Sequence, residues 1–144
     1  MKKYIFDTSA LLTFIENEEG VEIVEELLEK SIENENNIFI STISIIELYY
    51  ISLREQGKDI AEERLTLIDN IPLIQESISN HLVKIIGNLK VYNSMSFADC
   101  CIAGLAKYKN AVLVHKDPEF ESIENEIEQL KLPYKKKKHS NKKG

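Results

Sequence analysis

Tyr4-Ile5-Phe6-Asp7-Thr8-Ser9-Ala10-Leu11-Leu12 decides the architecture. Three apolar residues stop at an acid, and the chain turns at once into a stretch whose Leu11, Leu12 and Ile15 fall on one helical face. A strand that hands over directly to a helix is the first half of a βα unit. The pattern recurs along the chain. Ile38 to Ile40 reads as a strand before a helix marked by Ile43, Ile46, Tyr50 and Leu53, which stops near Gly57. Ile71 to Ile74 reads as a third strand despite Pro72, and Ala111 to Val114 as a fourth. Helical spacing links Val21, Val24, Leu27, Leu28 and Ile32, then Ala61 to Ile68, then Ile78, Leu82, Ile85, Ile86 and Leu89. Ser96 opens a further helix, and Glu119 to Leu130 is amphipathic and mixed. Strands alternating with helices predict an α/β fold: a single-domain, three-layer α/β/α sandwich with a central parallel sheet.

The composition agrees. The chain has 144 residues, 43% hydrophobic and 29% charged, which suits one globular domain and excludes a disordered or fibrous chain. Apolar runs are too short to span a membrane, and Asp7 and Glu16 interrupt what would follow Met1-Lys2-Lys3 in a signal peptide, so a cytoplasmic protein is expected. The two cysteines, Cys100 and Cys101, are adjacent and point to neither a disulfide framework nor a thiolate metal site. Net charge is −6, but residues 131–144 carry seven lysines and no acid, leaving 11 basic against 24 acidic residues, or −13, in residues 1–130. The expected organisation is a folded domain over 1–130 and a Lys-rich, flexible tail over 131–144. Such a tail either holds RNA by counterion release or is simply solvated.

In parallel sheets of this kind, ligands bind beyond the carboxyl ends of the strands. Asp7 and Asp117 follow strands, and Glu47 and Asp99 lie near the starts of helices on the same rim. Each has a plain structural reading. Asp7 caps a helix, Ser44 with Glu47 and Ser96 with Asp99 match capping boxes, and Asp117-Pro118 is a cap followed by proline. Together they form a constellation of acids bordered by small or apolar residues, and acids so placed need a partner. A divalent cation would supply it, and an all-oxygen donor set suits Mg²⁺ or Mn²⁺ rather than zinc. Carboxylates holding such an ion are standard equipment for hydrolysing phosphodiesters, with no side-chain nucleophile required.

These segments resemble the four motifs of PIN domains. Tyr4 to Leu12 resembles the opening strand with D-x-S, and Ser44-Ile45-Ile46-Glu47-Leu48 the second motif with its helix-borne Glu. Ser96 to Ala106 is similar to the third, where an acid opens an Ala-rich helix. Val112 to Phe120 is similar to the fourth, a strand followed by D-x-x-F. The resemblance covers about residues 3–120. Among PIN proteins of this size, it points to toxins of the VapC type. It implies a PIN-like fold and a Mg²⁺- or Mn²⁺-dependent endoribonuclease with Asp7, Glu47, Asp99 and Asp117 in the acidic, metal-holding positions. Ser9 would support the first acid or a water. It also implies an RNA substrate, a homodimer and a cognate antitoxin protein.

One departure stands out: His115 occupies a position where many members of the family carry Thr. His115 either contacts RNA phosphate, adds a nitrogen ligand, or is a strand-end histidine with no special role. Lys116, the basic residue nearest the acids, either touches RNA phosphate or is solvated. Tyr49 and Tyr50 are candidates for base stacking. Rival readings are an RNA-processing PIN nuclease that is not a toxin, an aspartyl-phosphate phosphotransfer or receiver domain, and a binding module whose acids only cap helices. Phosphatases of the second kind normally need a second Asp where Ser9 stands.

Overall fold

The computed structural model describes residues 1–133. In chain order the elements are β1 (Lys2–Phe6), α1 (Thr8–Ile15), α2 (Val21–Ile32), β2 (Asn36–Ser41), α3 (Thr42–Gln56), α4 (Lys58–Asp69) and β3 (Ile74–Glu76). There follow a 3-10 turn (Asn80–Leu82), α5 (Val83–Tyr92), α6 (Phe97–Lys109), β4 (Val112–His115), a second 3-10 segment (Pro118–Ile123) and β5 (Gln129–Lys131). The sheet runs in the order β3-β2-β1-β4-β5, and every pairing is parallel. The chain winds from β1 out to β3, then crosses back to β4 and out to β5. Its switch point therefore lies between β1 and β4, and the crevice expected in such sheets opens at their carboxyl ends.

Alternation along the strands divides the core in two. Ile5, Phe39 and Leu113 pack with residues of α5 and α6, while Phe6, Ile38, Ile40 and Val114 pack with α1, α2, Leu48 of α3 and Ile68 of α4. One apolar layer on each face of a sheet is what makes the three-layer sandwich. The helices on the α5/α6 side come very close together. A Cβ on Gly104 of α6 would lie 2.7 Å from Ile86 Cγ1 of α5, so the contact depends on a missing side chain. On the other face of the sheet, Gly20 caps α2 at φ +95°, and Pro133 covers it, with Cδ 2.8 Å from where a Cβ would stand.

The fold class agrees with the sequence reading; several boundaries differ. The third strand is Ile74–Glu76 rather than 71–74, because Pro72 sits in a bend that precedes pairing. Gln129–Lys131 is a fifth strand where only a mixed amphipathic stretch was expected. The packed domain therefore extends beyond residue 130: Lys131 belongs to β5 and Leu132 is 1% exposed within the core. The remaining lysines of the expected tail, Lys135 to Lys138, Lys142 and Lys143, lie outside the described residues. No helix among the described residues is long and apolar enough to cross a membrane.

Candidate metal centre

Asp7 ends β1 and caps α1. Its Oδ2 accepts from the Ser9 backbone N–H at 3.1 Å and from the Ser9 hydroxyl at 2.6 Å. The side chain is only 3% exposed. Burial pushes its carboxyl up to about 6, against the lowering effect of the two Ser9 bonds, and the charges of Asp117 and Glu47 raise it further. The Ser9 hydroxyl in turn accepts from the Lys116 backbone N–H at 2.9 Å. One serine thus joins the carboxyl ends of β1 and β4.

Glu47 reaches the same rim from α3. Ser41, not Ser44, caps that helix by accepting from Ile43 N at 3.1 Å, so Ser44 and Glu47 do not form a capping box. The Glu47 Oε1 instead accepts from the Thr8 hydroxyl at 2.6 Å, which ties α3 to the first turn of α1.

Ser96 does cap α6, accepting from Asp99 N at 3.2 Å. The reciprocal half of a capping box would be Asp99 binding the Ser96 N–H. That N–H donates to Glu119 Oε1 at 3.0 Å instead. Glu119 completes the cap from 23 residues away, and the Asp99 carboxyl is left to face the other acids. Asp117 Oδ1 accepts from Glu119 N at 2.9 Å, the cap expected of Asp-Pro.

Asp99, Asp117 and Glu119 each offer a carboxylate oxygen, and these atoms lie within 4.8 Å of one another. Burial, then hydrogen bonding to Glu119, then the charges of Asp7 and Asp117 hold the Asp99 carboxyl far above the ordinary carboxylate range. Glu119 moves the other way, lowered by its bond with Asp99, by the Ser96 N–H and by Lys90. Within this pair the surroundings favour the protonated form of Asp99 and the ionised form of Glu119. The four acids singled out in the sequence do act on one another: Asp7 feels Glu47 and Asp117, and Asp99 feels Asp7 and Asp117. Glu119 was missed, because two residues after a capping Asp it looks like an ordinary first-turn acid. Its signal, the pairing with Ser96, exists only in three dimensions.

Oxygen donors alone, clustered around a partly buried like-charge conflict, fit a hard divalent cation. Asp99, Asp117 and Glu119 are the residues whose oxygens stand close enough to share one, with Asp7 beside them.

The two basic candidates are placed differently. His115 is 0% exposed, and both ring nitrogens bond within the domain. Burial holds its pKa below the usual histidine value. No nitrogen is left for phosphate or a metal, so the expected contact with RNA finds no support in its placement. The Lys116 ammonium bonds Glu19 O at 2.8 Å and approaches Glu18 Oε1 at 3.5 Å, anchoring the β4 end to the loop between α1 and α2. It is not free to act as a phosphate clamp unless it leaves those partners. Tyr49 bonds Glu62 at 3.3 Å, while Tyr50 is exposed with Arg54 5.7 Å above its ring. Cys100 and Cys101 are buried thiols, raised by burial.

The PIN domain family model matches residues 4–126 of the chain. No curated protein sequence matches it. Among solved structures, the fold is similar to VapBC2 from Rickettsia felis bound to a DNA fragment from their promoter (23% identity, 91% of this chain and 99% of that chain, TM-score 0.75). It is also similar to DNA-bound VapBC from Salmonella typhimurium (21% identity, 91% and 98% covered, TM-score 0.70). A third is VapC20 from Mycobacterium tuberculosis, a sarcin-ricin loop cleaving toxin (16% identity, 83% and 93% covered, TM-score 0.64).

Proposed function

The chain belongs to the PIN domain family, and from that premise we propose that it is a metal-dependent endoribonuclease, the VapC-type toxin of a toxin–antitoxin pair. The observation that carries this reading is the convergence of Asp99 with Asp117 and Glu119, from two distant segments, with oxygens within 4.8 Å of one another, while the charges of Asp7 and Glu47 act beside them. Mg²⁺ or Mn²⁺ is the cofactor such a donor set suits; Asp99, Asp117 and Glu119 would hold it, with Asp7 and Glu47 contributing negative charge. When bound, the ion supplies Lewis-acid polarisation of a phosphodiester and eases deprotonation of water.

The chain's own residues have the remaining tasks. Asp99 and Glu119 would offer their carboxylate oxygens to the cation from the α6 side and from the segment after β4. Asp7, braced by Ser9, keeps negative charge on the β1 side of the crevice. Glu47, held by Thr8, is the acid that orients water or a proton on the α3 side. Antitoxin and homodimer partners, an RNA substrate and a cytoplasmic location follow from the toxin reading, supported by the VapBC complexes among the structural neighbours.

An aspartyl-phosphate mechanism would need Asp7 presented as a nucleophile, whereas it is almost fully buried and its Oδ2 is occupied by Ser9.

The decisive experiment compares RNA cleavage by the wild type, Asp7→Asn and Asp99→Asn with Mn²⁺. Cleavage drops by at least a hundredfold in both variants, which remain folded, and EDTA stops the wild type until Mn²⁺ is returned. Full cleavage by both variants, or by the wild type in EDTA, rejects the nuclease assignment. Expression in cells with and without the product of the adjacent reading frame tests the toxin part. Growth arrest relieved by that product is expected, and harmless expression of the protein alone removes the label.

A further inference from the structure

We propose that His115 is a positioning residue, which together with Gln129 of the edge strand β5 holds the segment bearing Asp117 and Glu119 ready for a cation. The proposal rests on reading the acid cluster as a metal site. His115 is the last residue of β4, and its Nδ1 accepts the backbone N–H of Asp117 at 3.0 Å. Short polar side chains commonly capture the N–H two residues on and so set a turn. Here an imidazole does the same.

An Nδ1 that accepts must be bare, so the ring proton sits on Nε2. That N–H donates to Gln129 Oε1 at 2.8 Å, and the Gln129 amide donates to Phe120 O at 2.7 Å. The amide has one workable orientation. Turning it over would set its NH₂ against the Nε2–H and its oxygen against a carbonyl. The Phe120 side chain closes the arrangement, with its ring meeting the imidazole edge-on at 4.9 Å.

The consequence is mechanical. The segment 117–120 is fastened at its first N–H by His115 and at its last carbonyl by Gln129, and these two side chains are bonded to each other. Between the fastened ends lie Asp117 and Glu119, two of the three acids whose oxygens converge. Partners that orient metal ligands are typically worth about 10- to 100-fold in affinity. β5 thus contributes to the centre without touching it.

The test measures Mn²⁺ binding by electron paramagnetic resonance for the wild type, His115→Phe, His115→Asn and Gln129→Leu. It also records the imidazole ¹⁵N resonances of the metal-free wild type. A bare Nδ1 and a protonated Nε2 are expected. His115→Phe, which fills the space beside Phe120 but accepts nothing, weakens Mn²⁺ binding by about tenfold or more. His115→Asn, whose oxygen lies within reach of the Asp117 N–H, recovers most of the loss, and Gln129→Leu is intermediate. Where His115→Phe fails to fold, the comparison of Gln129→Leu with wild type decides. A proton on Nδ1, or Mn²⁺ affinities equal to wild type in the folded variants, overturns the proposal and leaves the nuclease reading intact. A wild type that binds Mn²⁺ in this graded way yet cuts no RNA sinks the nuclease reading and leaves this one standing. A wild type that binds no Mn²⁺ ends both.

Discussion

The Ser9 hydroxyl accepts the backbone N–H of Lys116, 107 residues away in sequence, at 2.9 Å and donates to Asp7 at 2.6 Å. One oxygen is thus both a seam between β1 and β4 and a contact that restrains the rise that burial imposes on the Asp7 carboxyl. Ser9→Ala removes both roles. The stranded Lys116 N–H costs about 1–3 kcal/mol of stability. The Asp7 carboxyl rises further above its already raised value, so the pH at which Mn²⁺ binding sets in moves upward. Thermal melts and Mn²⁺ titrations between pH 5 and 8 check this, with Ser9→Thr, which keeps the hydroxyl, behaving as wild type. An unshifted pH onset in Ser9→Ala refutes it.

The metal-free protein loses stability as the pH rises. Asp7 titrates near 6 in the folded state and near 3.8 in an ordinary carboxyl. Its proton favours the fold fully below about pH 4, and that advantage is lost as the pH climbs through 6, because the unfolded chain releases the proton first. Two pKa units at a buried site correspond to about 3 kcal/mol. Asp99, also raised, extends the decline above pH 6. Melting temperatures in EDTA fall from pH 5 to 8, and saturating Mn²⁺ flattens the curve. A profile in EDTA that rises across this range contradicts the charge conflict.

Glu119→Gln keeps the acceptor for the Ser96 N–H but removes a charge from the converging oxygens. Mn²⁺ affinity drops by about tenfold or more, and the melting temperature in EDTA near neutral pH falls, because the folded chain favours the ionised Glu119 carboxylate that Gln removes. Unchanged affinity by calorimetric titration would restrict Glu119 to capping α6.

Gly104→Ala drives a methyl into Ile86, with 2.7 Å between the carbons. Overpacking of this kind costs about 1–3 kcal/mol. Chemical denaturation reads the loss, and Gly104→Ala costs less in an Ile86→Ala background, which lacks the γ-carbon that the methyl meets. Equal stability of Gly104→Ala and wild type would mean that α5 and α6 part at no cost.

The sequence shows the central strands and the acids that follow them, because both signals are local. Apolar runs that end at Asp7 and before Asp117 are visible without coordinates. β5 is not visible. Gln129-Leu130-Lys131 is a three-residue edge strand with one apolar side chain, and only its pairing with β4 identifies it. Glu119 and His115 escape for a related reason. The partner that frees Asp99 lies 23 residues from Ser96, and the partner that fixes the imidazole lies 14 residues along the chain. Residue type and spacing also make Ser44-Ile45-Ile46-Glu47 look like a capping box, until Ser41 takes the helix end and frees Glu47 for Thr8.

The switch-point topology has a consequence for biosynthesis. β1 leaves the ribosome early, but its neighbour β4 is encoded more than a hundred residues later. Until that strand has emerged, Asp7 lacks Asp117, Asp99 lacks Asp117 and Glu119, and Ser9 has no Lys116 amide to hold. A chain that ends before β4 therefore lacks the acid cluster, which comes into being only when nearly the whole domain has been translated.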